Sequence, residues 1–263
     1  MTQRDVIADL TAAAGEFEGL IAGLDDAGWR LPTPAPGWTV AHQAAHLAFI
    51  FRLAGTAAAD PELFTAMIAK AATNFEGAVN AALDEYLGDP PEVLLSRWRT
   101  ERDSSIKALA AVPAGQLVPW LVRPLPAPVL ACAGMMELFA HGQDIADALG
   151  VTRTPDDRLW HVALFATLVW DFGYQSRGLT PPDVQFRYEL TAPSGAVWEF
   201  GPADAEQRIT GPAEDFCLLV TRRRHRDDLA VTAVGTDADH WLDIAQAYRG
   251  PAGEGRRPGQ FRT

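Results

Sequence analysis

Residues 135–150 read MMELFAHGQDIADALG, which sets a Glu, a His and an Asp into an otherwise apolar, helix-forming stretch. Glu137 and His141 are four residues apart and Asp144 follows three later, so in an α-helix all three lie along one face. The flanking Met135, Met136, Leu138, Phe139, Ile145 and Leu149 require cover from neighbouring elements. An ionised carboxylate under such cover is costly unless a cation or strong donors meet it. Taken alone, the segment also fits a plainer pattern, an i,i+4 hydrogen-bonded pair on a wet edge with Asp144 and Asp147 in solvent.

A second segment bears on that choice. HQAAHL places His42 and His46 four apart on a stretch otherwise composed mainly of Ala, Val, Leu, Phe and Ile. Facing helices of a bundle are where inward imidazoles and carboxylates assemble metal sites. Two His and one carboxylate leave coordination positions open, as catalytic zinc and non-haem iron sites require. Spacing does not separate the two histidines: either supplies a third ligand, both together close the site, and each also fits a satisfied core histidine. These ligand types accept zinc, iron, nickel or manganese.

The elements that must carry these residues follow from periodicity. Thr2 to about Leu24 has helical spacing, broken by DDAGWRLPTPAPGW; Thr39 then stands as the cap of VAHQAAHLAFIFRLAGTAAA. Residues 61 to 86 read as helix, uneven at TNFEGAVN, and PPEVLLSRWRTERDSSIKALAAV as a further amphipathic helix. PAGQLVPWLVRPLPAPV is too rich in proline for regular structure, and Trp38 and Trp120, in the two Pro-rich loops, either line a pocket or pack. The motif helix runs from about Val129 to Leu149 with Gly150 at its C′ position, and PDDRLWHVALFATLVWDFGY continues the helical series. Past Gly178, VQFRYELTAPSGAVWEFG is a hairpin pattern, EQRITGP a short strand, AEDFCLLVTRRRH a helix, LAVTAVG a strand and DADHWLDIAQAYRG a last helix. The expected organisation is α+β: a helical part, residues 1–178, a small α/β part, 179–250, and a disordered Gly/Arg/Pro tail, 251–263.

Composition narrows the partners. Thirty-four acidic residues against 22 basic give a formal charge of −12, which opposes a polyanion, so nucleic acid is not expected. Cys132 and Cys217 form no CxxC and no disulfide framework, as in a reducing compartment. The first ten residues lack signal-peptide order and no apolar stretch is long enough to span a bilayer, so the expected address is the cytoplasm, without a membrane partner. A homodimer is left open. No Gly-rich phosphate loop, GxSxG or HExxH occurs.

LPTPAPGWTVAHQAAHLA followed by MELFAHGQDIADALG resembles the mycothiol-dependent maleylpyruvate isomerase family, and ELTAPSGAVWEFG through FCLLVTRRRH resembles that family's small C-terminal domain. The resemblance reaches nearly the whole chain and is nearest to a metal-binding subfamily defined by sequence rather than activity. It implies a DinB-like up-down four-helix bundle with extra helices, and a divalent metal, usually zinc, held by His46, Glu137 and His141. His42 then falls to a supporting role, and Asp144 orients a ligand from behind. The implied chemistry uses mycothiol as a thiol cosubstrate: its thiolate adds to an activated C=C, the bond rotates, and elimination restores the alkene. Of the basic cluster TRRRHR at 221–226, the resemblance selects Arg222 or Arg223 to hold a carboxylate of a small-molecule substrate; a solvated helix end explains the same residues. The expected function is a metal-dependent isomerase or S-transferase. The alternatives are a thiol-independent Lewis-acid enzyme for isomerisation, addition, elimination or cyclisation, and a non-catalytic metal-binding protein.

Overall fold

In the computed structural model, which describes residues 5–71 and 75–261, the chain separates by packing into Met1–Arg153 and Thr154–Thr263. The first unit holds α1 (Val6–Ile21), α2 (Asp26–Trp29), α3 (Val40–Ala59), α4 (Pro61–Ala71), α5 (Phe75–Leu87), α6 (Pro91–Ala111), β1 (Leu117–Val118), β2 (Leu125–Pro126) and α7 (Ala127–Leu149). Helix α1 starts where Asp5 accepts from the backbone N–H groups of Ile7 and Ala8; Thr2 lies outside the described residues. Thr73 and Asn74 of the uneven stretch also lie outside them.

Four helices close a ring: α3 packs on α6 and α7, and α1 packs on the same two from the other side. Leu10, Ala14, Phe17 and Ile21 recur at helical spacing and are the buried stripe of α1. Trp98 of α6 is the pivot, with Phe17 and Phe51 each edge-on to it at 5.1 Å. Each such aromatic or aliphatic burial stabilises by about 1.5–3 kcal/mol. Helices α3 and α6 approach closely at Gly55, where a Cβ would lie 3.0 Å from Ser105 Cα. Helices α4 and α5 lean on α3.

Helix α7 begins at Ala127, two residues before the expected start, because Pro126 is its N-cap; it ends at Gly150, whose φ of 66° suits glycine. The Pro-rich stretch ahead of it is not wholly irregular. Leu117 and Val118 pair antiparallel with Pro126 and Leu125, proline at the edge of a two-stranded ladder costing it little.

The second unit holds α8 (Leu159–Leu168), α9 (Phe172–Gln175), β3 (Phe186–Thr191), β4 (Val197–Phe200), β5 (Gln207–Pro212), α10 (Ala213–Val220), β6 (Thr232–Val234) and α11 (Thr236–Ile244). The sheet order is β4-β3-β5-β6, with β3 and β5 parallel and both outer pairings antiparallel. The β3–β4 hairpin expected from the Pro-Ser-Gly turn is present, closed by Ala192 N–H donating to Ala196 O at 2.7 Å. Phe186, Tyr188 and Leu190 alternate onto the buried face, where Phe216 and Trp241 stack at 6.1 Å.

Helix bounds and the tail differ from the expectation here. The single helix read from PDDRLWHVALFATLVWDFGY is two, since the Trp170 carbonyl accepts from Trp241 Nε1 at 2.8 Å instead of continuing the helix. That helix packs with α10 and β4, so the division by packing falls after Arg153 while the change of period falls near 178; a helix apolar all round carries no sign of which body it joins. Helix α10 ends at Val220, leaving the arginines in its C-terminal turn, and α11 ends at Ile244, after which the buried Gln246 amide donates to the carbonyls of Tyr248 and Gly250. The tail expected to be disordered has no helix or strand among its described residues but is anchored, Gly259 N–H donating to Asp228 and Phe261 lying 3.9 Å beneath the Arg224 guanidinium. Among the described residues no helix is long and apolar enough to cross a membrane.

Candidate metal centre

The helical spacing does what it predicted on α7: Glu137 and His141 project together, with His141 Nε2 3.1 Å from Glu137 Oε2. From α3, His46 Nε2 reaches the same carboxylate oxygen at 3.6 Å. One ligand atom from each of His46, Glu137 and His141 lies within 4.8 Å of the others, in a setting where the three side chains are only 11–19% exposed. Burial alone raises the Glu137 pKa; the facing His141 and then His46 overcome it and hold the carboxyl far below its ordinary range.

The α3 histidines, equivalent by spacing, are separated by the cap. His42 sits at the third position after Thr39, and its Nδ1 accepts from Thr39 N–H at 3.2 Å and meets Thr39 Oγ1 at 2.8 Å. It closes the start of α3, and the structure does not bring it into the His46, Glu137, His141 group. Burial lowers its pKa, against a smaller opposing pull from Asp84, in keeping with a neutral ring that accepts.

Trp38 belongs to the centre rather than to general packing. The loop before α3 is tied by a Pro32–Thr39 bridge and by Thr33 donating through both N–H and Oγ1 to Trp38 O. That closure sets the indole 5.9 Å from the His141 ring in a stacked arrangement and 5.4 Å from the His46 ring. Trp120 instead stacks on Phe64 at 5.8 Å.

Asp144 is fully buried, not solvated as the plainer pattern has it, and Gln43 Nε2 donates to it at 3.4 Å. Gln43 is the residue that the sequence reading missed. Its side chain is fully buried, it also donates to Thr33 Oγ1 at 2.9 Å, and its Oε1 is hydrogen-bonded to His141 Nδ1. A usable signal existed, a lone amide between His42 and Ala44 on a helix that must be buried.

Arg222 and Arg223 belong to the second unit. Arg223 is buried and donates from Nη1 to Thr221 O at 2.6 Å. Arg222 occupies the left-handed C′ position of α10 at φ 58°, its N–H donating to Leu219 O at 2.8 Å. It lines a cavity of about 210 Å³ with Arg224, His225, Arg226 and Arg256. Arg177 is held below its ordinary pKa, by burial first and then by Arg222. No hydrogen bond or ion pair of the Arg222 guanidinium occurs among the described residues.

Residues 10–146 match the family model of the mycothiol maleylpyruvate isomerase N-terminal domain, and residues 182–234 match that of wyosine base formation. Uncharacterized proteins from two strains of Mycobacterium tuberculosis are 46% identical over 250 residues, covering 95% of this chain and 97% of theirs. Two solved structures of the mycothiol-dependent maleylpyruvate isomerase, one a histidine-to-alanine mutant, align with a TM-score of 0.58 over 87% of this chain and 91% of those chains. Their identity to this chain is 16%, so that likeness is one of fold.

Proposed function

The chain belongs to the mycothiol maleylpyruvate isomerase N-terminal domain family, and from that premise we propose a metal-dependent isomerase or S-transferase in which mycothiol attacks an electrophilic small molecule. The observation that carries this reading is the convergence of His46, Glu137 and His141 within 4.8 Å of one another. Two imidazoles and a carboxylate, little exposed and crowded around one point, are a donor set that a divalent cation satisfies. We take the metal to be zinc, held by His46, Glu137 and His141; three protein ligands leave room for a small molecule. A metal in that position supplies Lewis acidity and the stabilisation of a thiolate at neutral pH.

The chain's own residues do the rest. Neither cysteine supplies the nucleophile: Cys132 is buried and its thiol is pushed up to about 12, and Cys217 is raised further by burial. An external thiol is therefore the nucleophile in this reading. Trp38 walls the two imidazoles and keeps water from one side of the centre. Arg222, with its guanidinium unpaired among the described residues, is the better choice than Arg223 to hold a substrate carboxylate.

Elemental analysis of protein purified without a metal-affinity tag, followed by assay of an electrophilic alkene with and without mycothiol, tests the reading. The expected result is about one metal per chain, and turnover that requires both metal and thiol. Turnover that needs metal but no thiol would replace it with the Lewis-acid enzyme. A chain that binds zinc and turns over no electrophile would leave a metal-binding protein.

A further inference from the structure

The Gln43 amide is fully enclosed, so both of its ends must be satisfied by the protein. At one end stand Thr33 Oγ1 at 2.9 Å and Asp144 Oδ2 at 3.4 Å; at the other stands His141 Nδ1. Thr33 has one hydroxyl proton and gives it to the Trp38 carbonyl at 2.9 Å, so towards Gln43 it can only accept. A carboxylate such as Asp144 likewise only accepts. Two acceptors at one end demand the NH₂ there, which turns the carbonyl oxygen of the amide to His141. An oxygen at hydrogen-bond distance from a ring nitrogen requires that nitrogen to carry the proton.

We infer that Gln43 is a positioning residue that fixes His141 as its Nδ1–H form and so presents Nε2 as a lone pair to the metal centre, with Thr33 and Asp144 locking the amide against a flip. The inference rests on the metal reading above and deepens it. It gives Asp144 a definite part: acting through Gln43, the carboxylate decides which nitrogen of His141 carries the proton, and so leaves Nε2, on the Glu137 side, for the metal. His46 has no comparable anchor among the described residues, since its Nδ1 is buried without a hydrogen-bond partner. Orientation of the ligand pair therefore depends on the His141 side. Helical spacing also accounts for the economy of the arrangement: Gln43 and His46, three apart on α3, face α7 together, one behind His141 and one in front of it.

The test uses the full chain, with zinc affinity read by competition against a chromophoric chelator and coordination read from the visible spectrum of the cobalt-loaded protein. Gln43→Leu is expected to bind zinc roughly 10–100-fold more weakly and to change the cobalt spectrum. Asp144→Asn is expected to weaken binding as well, because an amide there permits Gln43 to flip. Gln43→Glu combined with Asp144→Asn exchanges the two groups without changing net charge: the new amide donates, the new carboxylate accepts from His141, and affinity returns to within about threefold of the parent. A Gln43→Leu protein with parental zinc affinity, or a double variant weaker than Asp144→Asn alone, overturns the inference. Should Gln43→Leu fail to fold, the pair at 43 and 144 decides it. Ring ¹⁵N shifts of neutral His141 in the metal-free chain read the tautomer independently of any metal. A proton on Nδ1 upholds the positioning role even if zinc binding fails, and a proton on Nε2 alone refutes it.

Discussion

Both units hold a cluster of charged or ionisable side chains built around a little-exposed member, and the two clusters are completed in opposite ways. On the sheet, Arg187 is only 8% exposed, yet each nitrogen of its guanidinium donates: Nε to Glu189 at 3.2 Å, Nη1 to Gly201 O at 3.0 Å and Nη2 to Glu199. Arg208 donates to Glu189 at 2.7 Å, so two arginines and two glutamates cancel within the cluster. Glu189 and Glu199 lie directly opposite one another across β3 and β4, a repulsive register that Arg187 bridges. In the bundle, one carboxylate faces two imidazoles, and the ring of His141 is committed from behind to Gln43. That set supplies lone pairs towards a single point. Cancellation inside the protein is the pattern of a structural cluster; in the function proposed above, the converging ligand atoms of His46, Glu137 and His141 are the pattern that a divalent cation would complete.

The comparison breaks most readily at Glu137. Glu137→Gln and His141→Ala are expected to lower zinc affinity by more than about 100-fold, beyond the usual effect of residues behind the ligands, with competition titration as the check. Parental metal occupancy in either variant would place the bundle cluster with the closed one. Arg187→Ala is expected to do the reverse. It leaves Glu189 and Glu199 opposed, lowers Tm by several degrees in calorimetry and leaves metal content unchanged.

His42→Ala sharpens the division within α3 itself. Losing the reciprocal cap with Thr39 is expected to cost about 1 kcal/mol in denaturant unfolding while zinc stays bound, whereas His46→Ala loses the metal. Because burial depresses the His42 pKa below its ordinary 6.5, the folded chain binds this proton less readily than the unfolded one. Its contribution is therefore present above about pH 6.5 and is lost as pH falls from there through the folded value; His42→Ala should flatten that part of the stability profile.

An effect of similar size but opposite sign on stability is expected at Arg222. Its left-handed backbone strains any side chain, so Arg222→Gly should stabilise the chain by about 1 kcal/mol and at the same time raise the KM for a carboxylate-bearing substrate. Unchanged kinetics in that variant would leave the arginine cluster as a helix terminus.

Much of the fold was legible because its signals are local. Helical spacing marks α1, α3, α6 and α7, Thr39 and Gly150 mark the ends of the two helices that matter, and the Pro-Ser-Gly turn marks the hairpin. The break between α8 and α9 was not legible, since its cause is an indole 71 residues away. Nor could spacing rank His42 against His46. That ranking needs the cap geometry, in which a side chain one turn from another is spent on the backbone.

The sequence by itself determined the donor types and their faces: Glu137 with His141 on one helix, His42 with His46 on another, all on segments too apolar to stand in water. Periodicity suffices for that, because a helix places residues four apart on one side whatever surrounds it. Only the tertiary structure decided that the two faces meet, that His42 turns away, and that Gln43 stands behind His141 between Thr33 and Asp144. The contacts of Gln43 with Asp144 and His141 span about a hundred residues of chain, and they exist only once the ring of four helices has closed and the enclosed Gln43 amide has had to find partners.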